Sequence, residues 1–210
     1  MSGEAVRVAF AACLEACADH EDELGQLDSV AGDGDHGSGM VRGFTAACAA
    51  LAPGGLAESI TAAGDAFGDA AGGASGALWG VFLRAVGQAL ADKEPTAEAV
   101  AAALRRGEER LERLGKSQPG DKTLLDTLVP FLDALDGAIA TGDSLTKAWS
   151  AALSVAREAT EATSKMTAKR GRAAVLGDRS LGTVDPGARS LLLVLEAVAP
   201  VIADNERQAP

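Results

Sequence analysis

The chain has 210 residues, enough for one hydrophobic core, and 30 acidic against 19 basic side chains give it a formal charge of −11. So acidic a chain repels nucleic acid and anionic lipid, so neither a nucleic-acid nor a membrane partner is expected. Tyr is absent and aromatics are only 3%, which favours close-packed helices of Ala, Leu and Val over a sheet.

Apolar residues recur every three or four positions almost throughout, and Gly, Pro and cap residues punctuate the pattern. The spacing predicts an all-α chain of about eight amphipathic helices over 4–24, 37–52, 56–71, 76–91, 96–114, 122–141, 144–163 and 186–204, forming a single domain over 1–210. Thr96 and Ser144 stand where N-caps belong, and Pro186 suits a first helical position behind Asp185. Short links such as Pro53-Gly54-Gly55 imply sequential antiparallel neighbours. Pro130 should kink the sixth helix or mark an adjustment of its first turns. The exception to short links is the Gly- and Arg-rich stretch from Ser164 to Asp185, long enough to imply a function.

Cys13 and Cys17 share a helix face, Cys48 makes the count odd, and no second ligand pair completes a zinc tetrahedron; small buried thiols are the reading. No basic-then-apolar leader is visible and no run approaches 18 uninterrupted apolar residues, so a cytoplasmic protein is expected.

Chemistry concentrates between Leu27 and Gly37. Asp28, Asp33 and Asp35 crowd three carboxylates into a segment broken by Gly32, Gly34 and Gly37, which lets them converge instead of radiating around a helix. Their mutual repulsion is relieved by a hard divalent cation, and Mg²⁺ is typically held by carboxylates together with substrate phosphates. Turn and capping chemistry is the plainer alternative for these aspartates. His36 and Gly37 open the next helix, whose N–H groups and dipole would face an anion, and Gly37 and Gly39 allow close approach of a phosphate. His36 itself suits a direct role or a supporting one.

Gly72-Gly73-Ala74-Ser75-Gly76 is a second phosphate-loop candidate or a tight interhelical turn; the Lys-Ser/Thr ending of a Walker loop is missing. Gly115 to Thr123 reads as a shaped loop with Asp121 or Thr123 as a cap. Charge is segregated as well. Ten acids and two arginines occupy residues 1–60, whereas Lys165, Lys169, Arg170, Arg172, Arg179 and Arg189 face only Asp178 and Asp185 in residues 164–190. A magnesium–polyphosphate complex needs both signs, and Arg172 is the leading phosphate contact, a solvated surface arginine being its alternative.

In order and spacing, these pieces resemble the nucleotide-binding L subunit, or C-terminal domain, of the dihydroxyacetone kinase family. They are Leu27-Asp28 with Gly32-Asp33-Gly34-Asp35-His36-Gly37, Gly72-Gly73-Ala74-Ser75-Gly76, Pro119-Gly120-Asp121-Lys122-Thr123, Arg170-Gly171-Arg172-Ala173, Leu176-Gly177-Asp178-Arg179-Ser180 and Asp185-Pro186-Gly187-Ala188. The resemblance implies a closed barrel of eight antiparallel helices with ADP or ATP at one end. It implies two Mg²⁺ ions on Asp28, Asp33 and Asp35. Nucleotide contacts would come from His36, Gly37, Ser38, Gly39, Ala74, Ser75, Gly115, Leu124, Arg172, Asp185, Pro186 and Gly187, with Arg172 and His36 as catalytic candidates. At Leu124 only the apolar character is shared.

It further implies a separate K subunit that holds the ketose, and a phosphoryl donor that is either free ATP or a multiphosphoryl protein of the phosphotransferase system recharging bound ADP. The main reading is a dihydroxyacetone kinase subunit. The alternatives are a subunit for another small ketose, such as a tetrulose, that uses free ATP, or a non-catalytic adaptor or co-regulator on the same scaffold.

Overall fold

The three-to-four spacing of Ala, Leu and Val becomes one apolar stripe per helix, and each stripe is buried against two neighbours. The computed structural model describes residues 3–51, 55–175 and 177–208, with the side chains of Arg172, Gly177 and Asp178 outside the described set. In chain order the helices are α1 (Gly3–Asp19), α2 (Glu21–Ser29), α3 (His36–Ala50), α4 (Leu56–Ala71), α5 (Gly73–Ala89), α6 (Ala97–Gly115), α7 (Leu125–Ala140), α8 (Leu145–Ala162), the five-residue α9 (Gly171–Val175) and α10 (Pro186–Gln208). Among the described residues there is no strand.

Helix α1 packs on α3, and each of α3 to α7 packs on the next. Helix α8 then meets α10, which returns to α1. The ring closes as a barrel of eight helices, the all-α architecture anticipated. Aromatic rings fill its interior. Phe10, Phe44, Phe67, Trp79 and Phe82 form a connected series of mostly edge-to-face contacts with centroids 5.1 to 6.2 Å apart, and Phe131 meets Trp149 at 4.9 Å. Gly43 is glycine for this reason: a Cβ there would stand 2.5 Å from the Phe67 ring.

Caps set several boundaries as expected. Thr96 Oγ1 accepts from the Ala99 N–H at 3.2 Å, and the Ser144 hydroxyl accepts from the Lys147 N–H at 3.5 Å. Asp185 Oδ2 accepts from the Ala188 N–H at 2.8 Å, directly ahead of Pro186. Pro130 lies inside α7, whose first turn tightens through a Thr127 N–H bond to the Leu124 carbonyl at 3.2 Å. Most of the Pro53-Gly54-Gly55 link falls outside the described residues.

Two spans differ from expectation. The first predicted helix is two: His20 leaves helical geometry (φ −115°, ψ 16°) and its Nδ1 lies 2.9 Å from the Ala16 carbonyl. The break swings α2 away from α1 and carries Asp28 to one end of the barrel. The Ser164–Asp185 stretch is not bare loop. It holds α9 between 3₁₀ turns at Thr163–Lys165 and Gly177–Ser180.

Helix α10 is long and apolar enough by composition to cross a membrane, yet Leu191, Leu192, Leu193, Leu195, Val201 and Ile202 are buried in the barrel core. Cys13 and Cys17 are buried free thiols, as expected, and burial pushes the Cys17 thiol up to about 12; Cys48 is free and half-buried.

Candidate functional site

One end of the barrel opens into a cavity of about 510 Å³, within the range that holds a nucleotide-sized ligand. Its lining comes from the 27–39 loop and α3, the 71–79 turn and α5, the end of α6, residues 122–125, and residues between Ala168 and Gly187. The acidic and basic halves of the sequence therefore meet here.

Asp28, at the end of α2, and Asp33 and Asp35, in the following loop, each offer a carboxylate oxygen, and these oxygens lie within 4.8 Å of one another. Asp28 is half-buried and the other two are exposed. The bend is made by Gly34, whose φ of +79° favours glycine and whose N–H donates to Asp28 Oδ2 at 2.8 Å. Three converging oxygens on a glycine-rich turn fit the donor set of a hard divalent cation.

Three long helices point their N-termini into the same cavity. Asp35 and His36 open α3, Gly72 to Ser75 open α5, and Asp185 to Gly187 open α10. The first N–H groups of a helix have no partner within it and carry the positive end of its dipole. Helix N-termini of this kind attract anions, and here they share one cavity with the carboxylate cluster, Asp35 standing at the start of α3 itself.

His36 joins these helix ends. It is 6% exposed, and its Nδ1 lies 3.0 Å from Ser75 Oγ on α5 while Nε2 lies 2.9 Å from Ser190 Oγ on α10. The Ser190 hydroxyl donates to the Gly187 carbonyl at 3.0 Å, so toward His36 it accepts. Nε2 therefore carries the proton, and the bare Nδ1 accepts from the Ser75 hydroxyl. Burial holds the imidazole pKa below its usual value against the pull of Asp28 and the Pro186 carbonyl, which keeps the ring neutral at pH 7. The Ser75 proton is committed to His36, which leaves the lone pairs of its oxygen for the cavity.

Gly37 has a packing use besides the phosphate approach its sequence position suggests. A Cβ there would stand 2.1 Å from the Glu21 carbonyl oxygen, so its lack of a side chain lets α3 abut α2. Arg189 of α10 clasps Glu23 of α2 through Nε at 2.7 Å and Nη2 at 3.2 Å. On the other side, Arg42 of α3 reaches the Ala71 carbonyl at 3.1 Å and the Ser38 hydroxyl at 3.1 Å.

The opposite wall is apolar, built from Leu78, Leu111, Leu114 and Leu124. Gly115 ends α6 at the rim. Arg172 lies in α9, but its side chain is outside the described residues, as are those of Gly177 and Asp178 and the whole of Leu176. Neighbouring Arg170, Gly171 and Ala173 do line the cavity.

Asp121 is no cap. It is 3% exposed and binds Arg170 Nε at 2.9 Å, an ion pair that holds its carboxyl below the usual range. The capping work falls to Thr123, whose hydroxyl accepts from the Leu125 N–H, and to Asp126, which accepts from the Thr123 N–H at 2.7 Å and from the Gly120 N–H.

Three participants carried no assigned role in the sequence: Ser190, Asp126 and Lys122. For Lys122 the available signal is its place between Gly120 and Thr123, in the loop that resembles the family's. Ser190 had none, because it faces His36 only through the closure of α10 on α3.

The described geometry has known counterparts. The DAK2 domain family matches residues 30–200. D-erythrulose kinase of Mycolicibacterium smegmatis is 47% identical over 200 residues, covering 92% of this chain and 34% of that protein. The ADP-binding subunit DhaL of the PEP-dependent dihydroxyacetone kinase of Escherichia coli is 35% identical over 191 residues, covering 89% of this chain and 91% of the subunit. The chain thus spans about a third of the erythrulose kinase it matches and most of the bacterial subunit. Among solved structures, the dihydroxyacetone kinase from C. freundii in complex with AMP-PNP and Mg²⁺ superimposes with a TM-score of 0.69 at 25% identity, over 93% of this chain and 33% of that one. The chain belongs to the DAK2 domain family, whose members include kinases of small ketoses.

Proposed function

We propose that this chain is the nucleotide-binding domain, one domain over residues 1–210, of a cytoplasmic ATP-dependent kinase whose acceptor is a small ketose of the erythrulose class. The observation that carries the reading is the convergence of Asp28, Asp33 and Asp35 within 4.8 Å in a cavity that also takes the N-termini of α3, α5 and α10. The likeness to erythrulose kinases at 42 to 47% identity supports the substrate class.

Asp28, Asp33 and Asp35 hold magnesium, two ions in this reading, which when bound neutralises the developing charge on the transferred phosphoryl group. The N–H groups at the starts of α3 (His36, Gly37, Ser38) and α5 (Gly73, Ala74, Ser75) bind phosphoryl oxygens, and Gly39 and Gly187 lie beside them in the cavity lining. Arg172 supplies a cationic phosphate contact. His36 acts by locking Ser75 to α3 and α10 instead of exchanging a proton with substrate. Leu78, Leu111, Leu114 and Leu124 form the apolar surface for the base, next to Gly115. Asp185 and Pro186 fix the start of α10 in the cavity lining, where they would meet the nucleotide.

The ketose lies on a separate K-type unit that presents its hydroxyl in line with the terminal phosphoryl group, and no general base is needed from this chain. Closing the two units over the nucleotide excludes water and suppresses hydrolysis.

A second reading has ADP retained as a coenzyme and recharged by a multiphosphoryl phosphotransferase-system protein. It is supported by the E. coli ADP-binding subunit, of which this chain covers 91%.

The test is titration calorimetry of Mg–ADP and Mg–ATP, followed by phosphoryl-transfer assays on D- and L-erythrulose and dihydroxyacetone with a K-type unit added. ATP turnover with erythrulose, and loss of nucleotide binding in Asp33→Asn, are expected. Undiminished Mg–ADP affinity in that variant removes the metal assignment. Transfer only from phosphoenolpyruvate through the phosphotransferase chain selects the second reading.

A further inference from the structure

Lys122 has no part in the chemistry above, yet its placement is unusual for a lysine. It is 4% exposed, sits in the α6–α7 loop, and holds a left-handed φ of +61°. An ammonium has three donors, and all three are used on backbone carbonyls: Met166 at 3.1 Å, Thr183 at 2.7 Å and Ser180. Desolvating a cation is costly unless every donor is satisfied, and here every donor is. Asp185, at the start of α10, is the carboxylate that faces it.

The three carbonyls lie on both sides of α9. Adjacent Asp121 adds two more ties to the same segment, its carbonyl accepting from the Lys169 N–H at 3.0 Å and its carboxylate from Arg170. Within the segment, the Ala168 N–H donates to Ser180 Oγ at 3.1 Å and the Gly182 N–H to the Ser164 carbonyl at 2.8 Å. Among the described residues of the segment Ala168 is buried, whereas Val175 is 87% exposed and Leu181 52%. Met166, Lys169, Arg170, Ser180 and Thr183 are therefore tied directly to Asp121 and Lys122, and the two sides of α9 are tied to each other. The same segment forms one wall of the cavity, through Ala168, Arg170, Gly171, Ala173, Thr183 and Val184.

We propose that Lys122 is a positioning residue whose ammonium serves as the built-in cation of a three-carbonyl cage, fixing the wall of the nucleotide cavity carried by Met166, Ser180 and Thr183. The proposal deepens the nucleotide-site reading and rests on it for the consequence in binding. Without the cation the carbonyls confront one another unsatisfied and the wall loosens. Truncation at Cβ leaves a space shaped for a small primary ammonium.

The test compares wild type, Lys122→Ala and Lys122→Met by hydrogen exchange without nucleotide and by Mg–ADP calorimetry. In Lys122→Ala the amides of Ala168, Lys169 and Gly182 should exchange about tenfold faster, and Kd for Mg–ADP should rise about tenfold. Adding n-propylammonium chloride should restore both, whereas 1-propanol or sodium chloride should not.

Unchanged exchange in a folded Lys122→Ala overturns the proposal. So does equal rescue by 1-propanol, which would make the role one of filling space. Should Lys122→Ala fail to fold, Lys122→Met decides: it retains the stem without the donors, and wild-type exchange in it refutes the cage. If exchange follows the ammonium while even the wild type fails to bind Mg–ADP, the nucleotide reading falls and the cage stands.

Discussion

Replacing Asp35 by Asn separates the cost of the carboxylate cluster from its use. Charges 4.8 Å apart repel by about 1 kcal/mol per pair in water, and physiological salt roughly halves that at this distance. Asp35 takes part in two such pairs, so Asp35→Asn relieves about 1 kcal/mol. Asp35 also precedes α3, where a negative charge at the helix N-terminus contributes about 0.3–1 kcal/mol that the variant loses. The two effects nearly cancel. Without metal and nucleotide, the melting temperature should stay within about 2–4 °C of wild type, the shift that about 1 kcal/mol produces at this size.

With Mg–ADP at about a hundred times its Kd, wild type should gain about 2.7 kcal/mol, or about 5–11 °C, and Asp35→Asn should gain little of it. The assay is differential scanning calorimetry with and without Mg²⁺ and ADP, added singly and together. Two results refute the reasoning: an Asp35→Asn protein strongly destabilised without ligand, or one that keeps the full Mg–ADP shift. The first would make the cluster a folding element, and the second would remove Asp35 from the site.

Gly37→Ala drives a methyl group to 2.1 Å from the Glu21 carbonyl oxygen, so a loss of about 1–3 kcal/mol is expected in urea unfolding, with Mg–ADP binding weakened as α2 and α3 separate. In ¹⁵N spectra of the imidazoles, readable because the chain has only His20 and His36, His36 should show the Nε2-protonated tautomer and take up its second proton at lower pH than a free imidazole; Ser190→Ala should disturb that signature and Ser190→Thr preserve it. Burial raises the Asp185 carboxyl to about 7 against the opposing effects of Lys122 and the Ala188 N–H. The native state then holds a proton that the unfolded chain releases near pH 4, so this group's stabilisation is full below pH 4 and lost as pH rises through about 7. Urea midpoints at pH 5 and pH 8 should therefore diverge less in Asp185→Asn than in wild type, and an equal difference would contradict the raised value.

Much of this protein can be read along the chain. Helix periodicity is local, and so are the Thr96, Ser144 and Asp185 caps, which bond within three residues. The carboxylate turn is local too: Gly34 bends the chain and Asp28 closes it six residues away. The extent of the first helix was not legible. His20 is a fair helix residue, and the break after α1 is favoured because α2 must cross the barrel end, where it meets Gly37 and Arg189.

The site's supports form contacts that sequence spacing does not announce. His36 meets Ser75 across 39 positions and Ser190 across 154, and Lys122 meets Thr183 across 61. Each of these is a polar group whose partner is fixed only when the ring of helices closes and withdraws it from water. The sequence alone determined the helical stripes, most helix ends and the carboxylate turn, because short-range sterics and hydrogen bonds decide them, whereas the break after α1 and the turn of α9 were not legible in it. The tertiary structure decided which nitrogen of His36 carries its proton, what Lys122 binds and which glycines serve packing, because burial forces each of those groups to find a partner or a space.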